Sequence, residues 1–250
     1  MKTLIAILAL LTTSAAADLA DLLLERQKRV PSCVAILPPQ EKLPRGTLKA
    51  WGQPRHFWPQ RSTLRVRFMD GTTRQRNEAW KRLQAVDALV NLRFVQTSGA
   101  AEIRIAFKPG KGHWSYLGVT ARRIPQTQQT MNLDLKAGIF GDLAAEWDRV
   151  AIHEALHAIG LEHEHQHPLA GIAWNREAVY SYYQQTQGWS REEIDYQVLN
   201  RYSGTSWRGT AYDPSSIMQY PVPQGLANIV IGWNDALSPS DIAFLKTIYP

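Results

Sequence analysis

The sequence predicts an α+β fold, and three observations carry that prediction. Short segments alternate apolar and polar residues with the period of a half-buried strand. Others repeat their apolar residues at helical spacing. The two kinds follow one another as strand, helix, strands, helix and then an irregular second half, rather than in the regular alternation of a parallel α/β protein. With 44% hydrophobic and 20% charged residues in 250, a packed core is expected and disorder is not. No internal repeat at solenoid periods is present.

The chain opens on a leader. Lys2 is the positive charge, residues 4–11 are a short apolar run, and Ala15, Ala16 and Ala17 form a small-residue cleavage site. Residues 1–17 are read as a signal peptide cut after Ala17, in preference to an N-terminal anchor helix. The protein is therefore expected to be secreted, extracellular or periplasmic, without a stable membrane anchor once the signal is gone. No later stretch reaches the roughly 18 apolar residues of a spanning helix. Residues 18–49 start with a possible short helix carrying Leu19, Leu22 and Leu23. They continue as a proline-containing extended segment with Pro31, Pro38, Pro39 and Pro44. This stretch is read as a prosegment or linker, and residues 50–250 as the main domain.

Within that domain Leu64 to Phe68 alternates like a strand. Thr73 to Val90 places Trp80, Leu83, Val86 and Val90 at helical spacing. Leu92 to Val95, Glu102 to Phe107 and Met131 to Leu135 alternate again. A helix is expected from about Leu143 to Ile159, ended by Gly160. The last helix opens at Ser238, with Pro239 at its first position and Asp241 in its first turn, and carries Ile242, Phe244, Leu245 and Ile248.

Charge is uneven. Residues 50–123 carry 14 basic and 4 acidic side chains, and residues 124–250 carry 7 and 14. Intramolecular attraction between the halves is the expected consequence, with a preference for acidic substrate residues if the basic half lines a cleft. No basic run with interleaved aromatics and no nucleic-acid motif is present, so no nucleic-acid partner is expected. The one cysteine, Cys33, excludes an intrachain disulfide framework.

The chemistry lies in His153-Glu154-Ala155-Leu156-His157-Ala158-Ile159-Gly160-Leu161-Glu162-His163. On a helix, His153 and His157 are one turn apart on one face and can reach one metal ion. Glu154 can lean over the same site without binding the metal, where a general base for an activated water stands. Gly160 lets the chain turn and bring His163 round as a third ligand. Three neutral nitrogens leave an open position, the arrangement of one catalytic Zn2+ rather than of a closed structural site. His165 and His167 lie in the same run but outside this frame, so a supporting or surface role is expected for them. About 60 residues later, Tyr212-Asp213-Pro214-Ser215-Ser216-Ile217-Met218-Gln219-Tyr220-Pro221 combines a turn, a methionine and a tyrosine. After an extended zinc signature this pattern resembles the methionine turn of metzincin proteases.

Four segments together resemble the astacin-type metalloendopeptidases: Ser215 to Tyr220, His163-Glu164-His165, Trp114 to Gly118, and Leu237-Ser238 with Asp241. Tyr220, two residues after Met218, distinguishes them from the matrixins. The resemblance implies two lobes around a cleft. The upper lobe holds a twisted mixed sheet, a backing helix and the zinc helix; the lower is mostly irregular and ends in a helix. It implies His153, His157, His163 and Tyr220 around zinc, Glu154 as base, and Met218 as the floor beneath the metal. It also implies that Glu164 receives the new N-terminal amine, through water, once a prosegment is removed, for example after Lys49. The departures are the missing disulfides and the replacement of the usual Arg and Asp after the His-Glu-His run by His167, Pro168 and Leu169. They mark a divergent, bacterial-style branch.

The function so implied is a secreted, monomeric zinc endopeptidase acting on protein or peptide substrates. The alternative is a catalytically inactive secreted zinc-binding protein that holds a partner in the cleft; retention of Glu154 argues for the enzyme. Cys33 lies too far past the signal to be a lipoprotein cysteine. It can be an exposed thiol, the site of an intermolecular disulfide, or a latency ligand whose thiolate occupies the open zinc position. Its surroundings do not match the cysteine-switch motif of the matrixins, and the astacin type more often uses an aspartate, a role open here to Asp18 or Asp21. Ile103 to Phe107 or Trp114 to Gly118 can be an exposed edge on which substrate adds as a strand.

Overall fold

The computed structural model describes residues 33–36, 54–135, 146–201, 209 and 211–250. The expected signal peptide, the short helix at Leu19 to Leu23 and the proposed cleavage point after Lys49 lie outside the described residues. Strands β1 (Cys33–Ile36), β2 (Thr63–Phe68), β3 (Arg93–Gln96), β4 (Ile103–Ala106), β5 (His113–Tyr116) and β6 (Met131–Asn132) make one sheet. Their order is β1-β5-β6-β4-β2-β3. All neighbours are parallel except β5 and β6, which run antiparallel. The sheet is therefore mixed, as expected. Met131 to Leu135 is strand only over its first two residues.

Helix α1 (Thr73–Asp87) backs the sheet. Thr72 caps it, its hydroxyl accepting from Gln75 N while the Gln75 side chain accepts from Thr72 N. Its Ala79, Leu83 and Val86 are buried with Leu64 and Val66 of β2, Phe94 of β3 and Ile103 and Ile105 of β4. The same core continues into the zinc helix, the methionine turn and α5 (Pro239–Ile248). At about 1.5–3 kcal/mol for each fully buried aliphatic side chain, this shared core is the main force that fixes the helix bearing His153 against the sheet.

Arg104 is the exception to apolar burial. It points from the opposite face of β4 yet is fully buried, because residues 121–128 fold over it. Its guanidinium donates to the carbonyls of Ala101 and Gln128, each at 2.7 Å, and of Ile124 at 3.0 Å. Gly118 has φ +46°, and a Cβ there would lie 1.8 Å from the His56 carbonyl oxygen. This position admits only glycine. The segment it receives is pinned further by Trp58, whose indole donates to Ala158 O at 2.8 Å.

The lower lobe is more helical than expected. Helix α3 (Arg176–Gln187) is capped by Asn175 and ends at Gly188 in the left-handed conformation. Helix α4 runs over Arg191–Ile194 and continues as a π turn, Asp195–Leu199. The buried face of α3 is Val179, Tyr180 and Tyr183, and that of α4 is Ile194 and Val198. Two tyrosines among glutamines give a weak apolar stripe, which is why this helix reads as irregular in sequence. No helix among the described residues is long and apolar enough to cross a membrane.

Candidate metal centre and active-site cleft

The zinc-signature helix, α2, is described from Glu146. It passes through a π turn (Asp148–Ile152) before the regular stretch His153–Ala158, and the expected start near Leu143 lies outside the described residues. Gly160, at φ +105°, stops it as predicted. His153 Nδ1 is 2.8 Å from Ile217 O, and His157 Nδ1 is 2.7 Å from Leu161 O. A protonated Nδ1 donating to each carbonyl leaves both Nε2 lone pairs pointing inward. His163 closes the group, with its Nε2 3.0 Å from that of His157. The three ligand atoms lie within 4.8 Å of one another.

These residues fit a metal cation. His157 Nε2 and His163 Nε2 face each other at 3.0 Å, and the buried His153 Nε2 has no partner among the described residues, so a cation shared by the three imidazoles would satisfy them. Burial holds the His157 imidazole at a pKa of about 4, and it pushes His153 and His163 well below their ordinary 6.5. All three are therefore neutral, as zinc ligands must be.

Glu154 follows the first ligand and is fully buried; burial raises its carboxyl strongly. Cys33 faces it. One ligand atom each from Cys33, His153 and Glu154 lies within a second group of 4.8 Å span. Burial also pushes the Cys33 thiol well up. The Tyr220 ring sits 4.3 Å from the His163 ring and stacks on His165 at 4.3 Å and 24°. Its buried hydroxyl has no partner among the described residues. Met218 is fully buried, its carbonyl accepting from Glu164 N at 2.9 Å.

The turn is held from α5. Asp241 accepts from Ser216 Oγ at 2.6 Å and from the backbone N–H groups of Ile217 and Ser238 at 3.0 and 2.9 Å. Asp241 is legible in sequence as a capping residue. That it also anchors the methionine turn is not, because the contact spans 25 residues. Glu164 Oε1 accepts from Asp213 N at 2.6 Å, and burial lifts its carboxyl to about 9.

His165 and His167 do not reach the surface, contrary to one of the roles expected for them; both are buried. His165 pairs through Nε2 with Gln197 O at 2.9 Å, and Leu169 N donates to His167 Nδ1 at 2.6 Å. Neither belongs to the metal group. Arg149 escapes the motif reading although it stands one turn before His153 on the same helix face. Its guanidinium pairs with Glu146 and lies 4.0 Å over the Trp233 ring, in a small pocket also lined by Cys33, His153 and Tyr220.

An extended segment, β1, pairs along β5. Both β4 and β5 have two neighbours in the sheet, β6 and β2 for β4, β1 and β6 for β5, and the edge strand beside β5 is the four-residue β1. Cys33 pairs with His113, Val34 with Trp114, Ala35 with Ser115 and Ile36 with Tyr116, in parallel.

The family model Astacin, a peptidase family, matches residues 51–250. The chain belongs to the astacin family. Two solved structures of myroilysin are similar to this astacin. One has 35% identity over 80% of this chain and 98% of the other, with a TM-score of 0.75; the second has 31% identity over 90% and 93%, with a TM-score of 0.66. High choriolytic enzyme 1, a hatching enzyme zinc-protease from the medaka fish Oryzias latipes, shares the fold at 17% identity and a TM-score of 0.52, over 86% of this chain and 98% of its own. No curated protein matches this astacin. The chain is thus a zinc-dependent metallopeptidase whose substrates are proteins or peptides, and His153, His157 and His163 are positioned to bind its metal.

Proposed function

We propose that this astacin is a secreted zinc endopeptidase made as a latent precursor, with Glu154 as general base and Cys33 as the latency ligand. The observation that carries the reading is the convergence of three neutral, buried histidine nitrogens beside a buried Glu154, under a cleft with a strand-binding edge. Zinc held there supplies the Lewis acidity that makes water a nucleophile at neutral pH. Glu154 takes the proton of the attacking water as the carbon–oxygen bond forms at the scissile carbonyl. The Tyr220 hydroxyl donates to the developing oxyanion. The carbon–nitrogen bond then breaks, and Glu154 returns the proton to the leaving amine.

Latency through Cys33 is supported by its place. Its sulfur shares a small cluster with His153 and Glu154, and β1 lies along the substrate edge. A thiolate is a strong zinc ligand and would displace the attacking water. In this reading residues 1–17 are the signal, residues 18–49 the prosegment and residues 50–250 a monomeric catalytic domain. Met218 lies beneath the metal, and Glu164 receives the mature N-terminus through water. N-terminal sequencing of fully active enzyme tests the last point: a start at Asp18 excludes it.

The direct test is metal analysis with casein digestion, run on the full chain and on Cys33→Ala, each with and without a zinc chelator. One zinc per chain, chelator-sensitive cleavage by Cys33→Ala and none by the parent are expected. Equal activity, or equal latency, of the two chains removes Cys33 from the role. Absence of chelator-sensitive cleavage in any activated form removes the peptidase reading.

A further inference from the structure

Strand β1 shows what an extended chain meets on both sides of the cleft. Adjacent carbonyls of a strand point to opposite edges. The Ile36 carbonyl points to the sheet and accepts from Leu117 N at 3.2 Å. The Ala35 carbonyl points the other way, to the lower lobe, where the Gln197 side-chain amide donates to it at 3.5 Å. Gln197 lies on the π turn of α4, next to Val198, whose side chain is buried with Cys33, Tyr183 and Tyr220. The α4 segment is therefore the wall opposite β5, and Gln197 is the donor it offers to a backbone.

We propose that Gln197 is a substrate-binding residue that grips the outer backbone edge of whatever extended segment lies along β5, first the prosegment strand and then the substrate. This rests on the peptidase reading above. The chemistry recognised is the peptide carbonyl itself, so the grip is independent of side-chain sequence. It is also independent of chain direction, since a strand running either way presents a carbonyl to that edge every ~7 Å. With Cys33 at the metal, the gripped carbonyl belongs to the second residue away. The contact thus rewards substrates that extend at least two residues from the scissile bond. The backbone of Gln197 does separate work, because its carbonyl pairs with His165, the ring on which Tyr220 stacks. Changing the side chain leaves that pair in place.

The test uses the zinc-loaded chain with Gln197→Met, which keeps the shape and removes the donor, and Gln197→Glu, which replaces it with an acceptor. In the activated enzymes, a peptide reaching two or more residues on both sides of the cleaved bond is compared with one cut short on both. For the long peptide KM rises about 3- to 10-fold in Gln197→Met and further in Gln197→Glu, kcat changes less, and the short peptide is unaffected. In the unprocessed precursors the Cys33 thiol reacts several-fold faster with an aromatic disulfide reagent in both variants. An unchanged ratio of long- to short-peptide kcat/KM overturns the proposal, whatever the thiol does, since the grip then serves at most the prosegment. Unchanged thiol reactivity overturns its prosegment half. If the activated parent cleaves neither peptide, it is the peptidase reading that fails, and the thiol comparison still decides whether Gln197 holds the strand.

Discussion

Tyr220 and His113 show two different uses of a buried polar side chain. The Tyr220 hydroxyl is buried without a partner among the described residues, a cost a folded chain keeps where an incoming group will satisfy it. Tyr220→Phe should keep one zinc per chain and lower kcat by about 100-fold with KM nearly unchanged, measured on a fluorogenic peptide. His113 instead accepts from Asp134 N at 3.0 Å through Nδ1. Burial, aided by nearby Arg149, lowers its pKa from 6.5 to about 3. Below pH 6.5 the unfolded chain takes up a proton that the folded chain refuses. This contribution to stability is therefore whole above 6.5 and is lost as pH falls toward 3. Between pH 7 and 5 the parent should lose about 2 kcal/mol more in urea unfolding than His113→Gln, which keeps an acceptor without titrating. The metal ligands were legible in sequence because their spacing is local. His113 and Gln197 were not, because what defines them is a partner 21 or 162 residues away.

Most elements follow from periodicity: α1, β2, β3 and α5 fall within a few residues of where their apolar patterns place them. Two features did not follow. The π turn ahead of His153 leaves no mark on an apolar pattern that is buried nearly all round. Helices α3 and α4 bury tyrosines and a single apolar residue per turn, a pattern too sparse to stand out from a polar loop. At this scale the coupling of α5 to the methionine turn is the testable contact. Asp241→Ala leaves the Ser216 hydroxyl and two buried N–H groups without their acceptor. A loss of about 3 kcal/mol in unfolding free energy is expected, with weaker zinc retention on dialysis against a mild chelator. Ser238→Ala removes the cap and the hydroxyl's 2.6 Å bond to Asp213 but leaves the Asp241 contacts to Ser216 and Ile217, and should cost about 1–2 kcal/mol with a smaller effect on zinc retention.

At the scale of the molecule, ion pairs run both within the basic stretch and across to the acidic one. Arg65 pairs with Glu102 and Lys108 with Asp70 within the basic stretch, while Arg82 reaches Asp148 at the head of the zinc helix. The pairs inside the stretch leave its excess of positive charge in place, and Arg82–Asp148 is an attraction between the two stretches. What joins the two lobes is apolar packing, the methionine turn and, in this form, strand β1, with its hydrogen bonds to β5 on one edge and to Gln197 on the other. The central claim remains that the buried Glu154 is the base of a zinc peptidase. Glu154→Ala, made in the Cys33→Ala chain, tests it most directly, by zinc content and casein hydrolysis on the same sample. One zinc per chain with cleavage reduced by about three orders of magnitude is the predicted result. Near-normal hydrolysis with zinc still bound would contradict it.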